Sequence, residues 1–139
     1  MNTPHDFFKN TGIVTETCWP YSSSSGKVES CRSSCKNGGT WKVYKSTATV
    51  NPTGTAAIKN ELYAHGPLDV SFAVYNDFYN YKSGIYVHKS GSLAGYHAVA
   101  LIGYGVSSGS NFWICQNSWG VSWGENGYFK IKVGECKID

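Results

Sequence analysis

Tyr96-His97-Ala98-Val99-Ala100-Leu101-Ile102-Gly103-Tyr104-Gly105, followed after a Ser/Gly turn by Ser110-Asn111-Phe112-Trp113-Ile114-Cys115-Gln116-Asn117, decides the fold class. Both runs are short, rich in β-branched or aromatic residues, and bounded by glycine, which marks strands rather than helices. The same texture recurs in Leu68 to Val74 and in Gly127 to Val133. In the last of these, alternation puts Phe129, Ile131 and Val133 on an inner face and Tyr128, Lys130 and Lys132 on an outer one. The runs predict an α+β chain: an antiparallel sheet curled into a β-barrel, with two short helices at its edge.

The helices are read upstream of the strands. Thr3-Pro4-His5-Asp6 supplies a cap, a proline at the first helical position and an acid in the first turn, and Gly12 follows the end. Residues 13–39 are rich in Ser, Gly, Cys and Pro without period and read as a surface loop fastened by disulfides. Thr40 to Val50 places Trp41, Val43 and Tyr44 among polar residues and is expected to be a strand, after which Asn51-Pro52-Thr53-Gly54 turns the chain. A second helix is expected over Thr55 to Ala64, with Ala57, Ile58 and Leu62 on one face and His65-Gly66-Pro67 as its stop. With no boundary required inside the loop, residues 1–139 are read as one domain.

Composition narrows the function classes. A chain of 139 residues with 41% apolar and 15% aromatic residues has enough material for one core. The net charge of +3 comes from scattered Lys and Arg, so no basic stripe points to nucleic acid. No apolar run approaches the roughly 20 residues that cross a bilayer, so no membrane partner is expected. Met1 to Asn10 has neither the charged start nor the apolar middle of a signal peptide, so a targeting signal is expected outside this chain.

Five cysteines, three of them in one loop-rich stretch (Cys18, Cys31 and Cys35), point to an oxidising or lysosome-like compartment. The count is odd, so at least one thiol is free or paired with another chain. Cys31-x-x-x-Cys35 has half the spacing of a zinc site, but no second Cys or His pair completes it. No metal or cofactor is expected.

Gly95-Tyr96-His97-Ala98-Val99 and, downstream, Gln116-Asn117-Ser118-Trp119-Gly120 offer an imidazole able to transfer protons and an amide able to orient it. No nucleophile stands obviously in front of them. Cys115 lies within Phe112-Trp113-Ile114-Cys115, where a thiol behaves as a small apolar side chain. Cys136 follows the last strand, and its state stays open.

These residues carry a resemblance. Tyr81-Lys82-Ser83-Gly84-Ile85-Tyr86, Gly95-Tyr96-His97-Ala98-Val99, Asn117-Ser118-Trp119-Gly120 and Trp123-Gly124-Glu125-Asn126-Gly127-Tyr128-Phe129 together resemble the C-terminal half of papain-family cysteine peptidases, nearest to the cathepsin B-like branch. The likeness runs from about residue 3 to Cys136, in family order.

The resemblance implies a two-domain enzyme whose cleft lies between a helical N-terminal domain and this barrel domain. It makes His97 the base and Asn117 its orienting partner, with Trp119 shielding their hydrogen bond, while the helical domain brings the cysteine nucleophile. It assigns Ser71, Ala98, Val74 and Tyr96 to the substrate-binding surface. It pairs Cys18 with Cys35, and Cys31 with a cysteine of the helical domain. The implied partners are peptide or protein substrates, the N-terminal papain-like domain in the same or another chain, and cystatin-like inhibitors; the implied location is lysosomal, vacuolar or secreted. Ser22 to Ser30 is short and lacks the paired histidines of the mammalian cathepsin B insertion, which implies endopeptidase rather than carboxypeptidase action. Without the nucleophile the chain alone is expected to be inactive. A non-catalytic papain-like binding module and a truncated fragment are the competing readings; intact His97 and Asn117 argue against the binding module.

Overall fold

The computed structural model describes residues 4–139, so the Thr3 cap lies outside the described residues. The chain forms two compact units, one ending at Asn51 and one comprising Pro52–Asp139.

The first unit begins with helix α1, Pro4–Asn10, which buries none of its residues. Gly12 then takes a left-handed φ of 92°, and a Cβ there would lie 2.6 Å from the Tyr44 carbonyl oxygen. Glycine is required at this crossing because Ile13 and Tyr44 exchange backbone hydrogen bonds of 2.9 and 2.8 Å immediately beside it. That isolated bridge is all that forms where a strand over Thr40 to Val50 is expected. Alternation marks a segment as able to pair, but among the described residues no ladder extends beyond Tyr44. Cys18 and Cys35 form a disulfide, both residues are buried, and Trp19 packs against Trp41 at 6.1 Å between ring centroids.

The second unit begins with helix α2, Thr55–His65, set between Gly54 and Gly66, both at positive φ. The Gly66 N–H closes the helix on the Leu62 carbonyl at 3.1 Å. Ile58 and Leu62, one turn apart, are its buried residues, whereas Ala57 is exposed.

Five strands follow: β1 (Leu68–Tyr75), β2 (Ile85–Tyr86), β3 (Leu93–Ser107), β4 (Ser110–Gln116) and β5 (Tyr128–Lys132). They form one sheet in the order β1-β3-β4-β5-β2. All pairings are antiparallel except β2 with β5. The sheet is open, which corrects the expected closed barrel: β2 has two residues, too few to carry a ladder across to β1. In β5, Phe129 and Ile131 are fully buried and Tyr128 and Lys132 exposed, as the alternation predicts.

The core of this unit is aromatic at its centre. Phe78, Phe129 and Trp113 have no exposed surface, and Phe72 and Leu101 have 1%. Phe78 sits in the 3-10 turn Asn76–Asn80 and meets Phe72, Phe129 and Tyr86 edge-on at 4.9–5.1 Å, the arrangement aromatic rings prefer. This packing fixes the end of the sheet at which β1, β3 and the loop after β4 come together.

Candidate active site

His97 lies on β3, directly across from Phe72 of β1. Opposed residues of an antiparallel pair share a face, so His97 belongs to the core face, at the end where that face is half-open. The Phe72 ring lies 6.1 Å from the imidazole. Asn117 follows the last residue of β4, and its N–H donates to the Gly127 carbonyl at 2.9 Å, which holds the strand end against the turn before β5.

The two side chains meet: His97 Nε2 lies 2.8 Å from Asn117 Oδ1. The same oxygen accepts the Ser118 backbone N–H at 2.8 Å. A backbone N–H can only donate, so the amide atom it faces must be oxygen; His97 Nε2 therefore carries the hydrogen. In the neutral ring this leaves Nδ1 as the basic nitrogen. The pair thus fixes both the tautomer and the ring plane. Asn117 Nδ2 is buried and has no hydrogen-bond partner among the described residues.

Trp119 lies nearly parallel to His97, at 5.1 Å and 22°, and Phe78 and Trp123 pack edge-on against the same indole at 5.6 and 5.1 Å. His97, from one motif, therefore meets both Asn117 and Trp119, from another.

The residues assigned to the substrate surface divide. Ser71 and Ala98 are exposed and face one another across β1 and β3. Ala98 borders a shallow hollow of about 390 Å³ that Asn117, Ser118, Gln116, Ala100 and Asp69 also line. Tyr96 is 68% exposed beside His97. Val74 is 3% exposed and packs in the core, where β1 buries Phe72, Ala73 and Val74 in succession.

No cysteine of this unit is poised for attack. Cys115 has no exposed surface, and burial pushes its thiol up to about 12. Burial, together with the neighbouring Glu135 carboxylate, pushes Cys136 up to about 12 as well. A reactive thiol needs the opposite surroundings, positive and open to solvent.

With this geometry in hand, likeness to known proteins decides the family. The model of the papain family cysteine proteases matches residues 1–139. The chain belongs to the papain family of cysteine proteases. Among relatives of this papain-family chain, a gut-specific cysteine proteinase of Caenorhabditis elegans is 45% identical over 81% of the chain and 36% of its own length. The cathepsin B-like CP3 of Giardia intestinalis is 42% identical over 96% of the chain and 46% of its own length. Among solved structures, procathepsin B S9 from Trypanosoma congolense superimposes with a TM-score of 0.88 at 33% identity, covering 96% of the chain and 48% of that protein. The chain thus spans less than half the length of these relatives, and it is a cathepsin B-like member of the family.

Two residues that hold this arrangement of side chains are not singled out by the sequence. Gly127, whose carbonyl anchors Asn117, is marked in the sequence only as the start of a strand and as a member of a shared motif. Tyr79 lies nearly parallel to Trp119 at 5.3 Å and 17°, and nothing in the run Asn76-Asp77-Phe78-Tyr79 marks it, because a 3-10 turn carries no hydrophobic period.

Proposed function

We propose that this chain supplies the histidine and asparagine half of a papain-like cysteine endopeptidase active site. The observation that carries the reading is the 2.8 Å hydrogen bond from His97 Nε2 to Asn117 Oδ1, alongside Trp119. Its basic Nδ1 faces a thiol contributed from outside this chain, by a papain-like N-terminal domain in the same or another polypeptide. Proton transfer from that thiol to Nδ1 gives a thiolate–imidazolium pair. The thiolate attacks the peptide carbonyl carbon, and the Nδ1–H protonates the departing amine as the C–N bond breaks, leaving a thioester. Nδ1 then takes a proton from water, whose oxygen attacks the thioester and releases the acid and the thiol. Asn117 holds the ring in one tautomer throughout, and the imidazolium forms without rearrangement.

The thiol is assigned to another segment because Cys18 and Cys35 are joined, Cys115 and Cys136 are buried, and the family likeness commits Cys31 to a cysteine elsewhere. Ser71, Ala98 and Tyr96 form the substrate-facing surface of the reading, the substrates are proteins or peptides cut internally, and cystatin-like proteins are the fitting inhibitors. The buried disulfide suits an oxidising compartment, lysosomal, vacuolar or secreted.

A fluorogenic peptide and an epoxide directed at cysteine peptidases test the assignment on this chain alone. We expect neither turnover nor label. Turnover with label on Cys115 or Cys136 would overturn it, because the chain would then carry its own nucleophile. In the assembled peptidase, His97→Ala is expected to lower kcat by about 10²- to 10⁴-fold, the range that general acid–base catalysis supplies.

A further inference from the structure

Trp119 follows the end of β4 in a loop and is held by its neighbours' side chains. Phe78 and Trp123 meet it edge-on, at interplanar angles of 66° and 78°. Both contacts are of the favoured edge-to-face kind. Two rings lie nearly parallel to it: His97, at 22°, and Tyr79, at 17°. Tyr79 is half-exposed, so it has little part in the core.

Its own placement is firmly set. The Tyr79 carbonyl accepts the Trp123 Nε1–H at 3.1 Å, and the preceding Phe78 has no exposed surface. At the start of the same turn, Asp77 accepts the Tyr86 hydroxyl at 2.7 Å and the backbone N–H groups of Lys89 and Ser90 at 2.8 and 3.2 Å, and its Oδ1 lies 3.1 Å from His88 Nδ1. The 3-10 turn is thereby tied to the segment after β2 and presents the Tyr79 ring to Trp119 from a rigid base.

We propose that Tyr79 is a positioning residue for His97, acting through Trp119. Its flat contact fixes the plane of the indole, and the indole in turn covers the imidazole and keeps the Nε2–H of His97 on Asn117. This inference rests on reading His97 and Asn117 as the catalytic pair. A tyrosine that merely stabilised the fold would leave that one proton unaffected when the backbone stays protected.

The test is exchange of the His97 Nε2 proton with solvent, followed by NMR in the ¹⁵N-labelled chain, with backbone amides of β3 and β4 as the internal reference. Tyr79→Ala should speed this exchange by about three- to tenfold, the size of one lost aromatic pair, with core amide exchange unchanged. Tyr79→Phe, which keeps the ring, should match the native rate. Should Tyr79→Ala not fold, Tyr79→Leu carries the comparison, because it keeps apolar bulk and loses the flat face; the same acceleration is expected. A protected native proton whose exchange neither variant alters overturns the role of Tyr79. If the native proton is unprotected, and Asn117→Ala changes nothing, the His97–Asn117 pairing itself fails.

Discussion

Asn117 does two things with one oxygen: it accepts from His97 Nε2 and from the Ser118 N–H. Removing the side chain frees the imidazole to rotate and to change tautomer, so Asn117→Ala in the assembled peptidase should lower kcat/KM by about 10²-fold, the cost of a small misplacement at a reacting centre. Steady-state kinetics on a fluorogenic peptide measure it, and a loss confined to KM would contradict an orienting role. Two residues before Asn117, near the same end of β4, the buried Cys115 has the opposite character. Burial pushes its thiol from 9.0 up to about 12. Below pH 9 it is neutral in both folded and unfolded chains, so its favourable burial is fully expressed there. Between about 9 and 12 only the unfolded thiol ionises, and stability falls as pH rises, by up to about 1.4 kcal/mol per pH unit from this group. Urea denaturation at pH 8 and pH 10.5 should show that decline, and Cys115→Ala should lessen it while the share of Cys136 remains; an equal slope in the variant would remove Cys115 as a cause.

Among elements, the short ones organise the site. The 3-10 turn Asn76–Asn80 gives the core Phe78 and the site Tyr79, and Asp77 pins it to the residues after β2. Burial pushes the Asp77 carboxyl up, but hydrogen bonds from the Lys89 N–H, the Tyr86 hydroxyl, His88 and the Ser90 N–H outweigh it and hold the group well below the usual carboxylate range. A depressed pKa means that the stabilisation is complete above the ordinary value of 3.8 and is lost as pH falls below it. Asp77→Asn should therefore cost about 1–3 kcal/mol at neutral pH and make stability less sensitive to acid. Denaturation at pH 7 and pH 3 checks both statements; a variant as acid-sensitive as the native chain would count against them. The helix α2 was readable in advance because its stops are local: glycine on either side and Ile58 and Leu62 one turn apart. The strand β2 was not, since two residues cannot display a period, and neither was the failure of Thr40 to Val50 to extend beyond one bridge. That segment has the pattern of a strand, but a strand exists only where a second one pairs with it.

At the scale of the whole chain, the Cys18–Cys35 disulfide closes a loop with a sequence separation of 17. Chain entropy makes such a link worth about 3 kcal/mol, so Cys18→Ser with Cys35→Ser should lower unfolding free energy by about that amount in urea; no change would mean that the loop is held by its other contacts. The sequence alone determined the α+β class, the bounds of α2, most of the strands and the inner face of β5. It also marked out His97, Asn117 and Trp119 as candidates, through motifs that the papain family shares. All of these depend on residues within a few positions of one another, where spacing and turn chemistry act directly. Only the tertiary structure decided that the sheet stays open, that Val74 turns into the core, and that His97 Nε2 carries the hydrogen. It alone brought Tyr79 to Trp119. Such features join residues far apart in the chain, 20 apart for His97 and Asn117 and 44 for Tyr79 and Trp123. Their meeting is set by how the aromatic core packs and which strands pair, and local pattern carries no record of that.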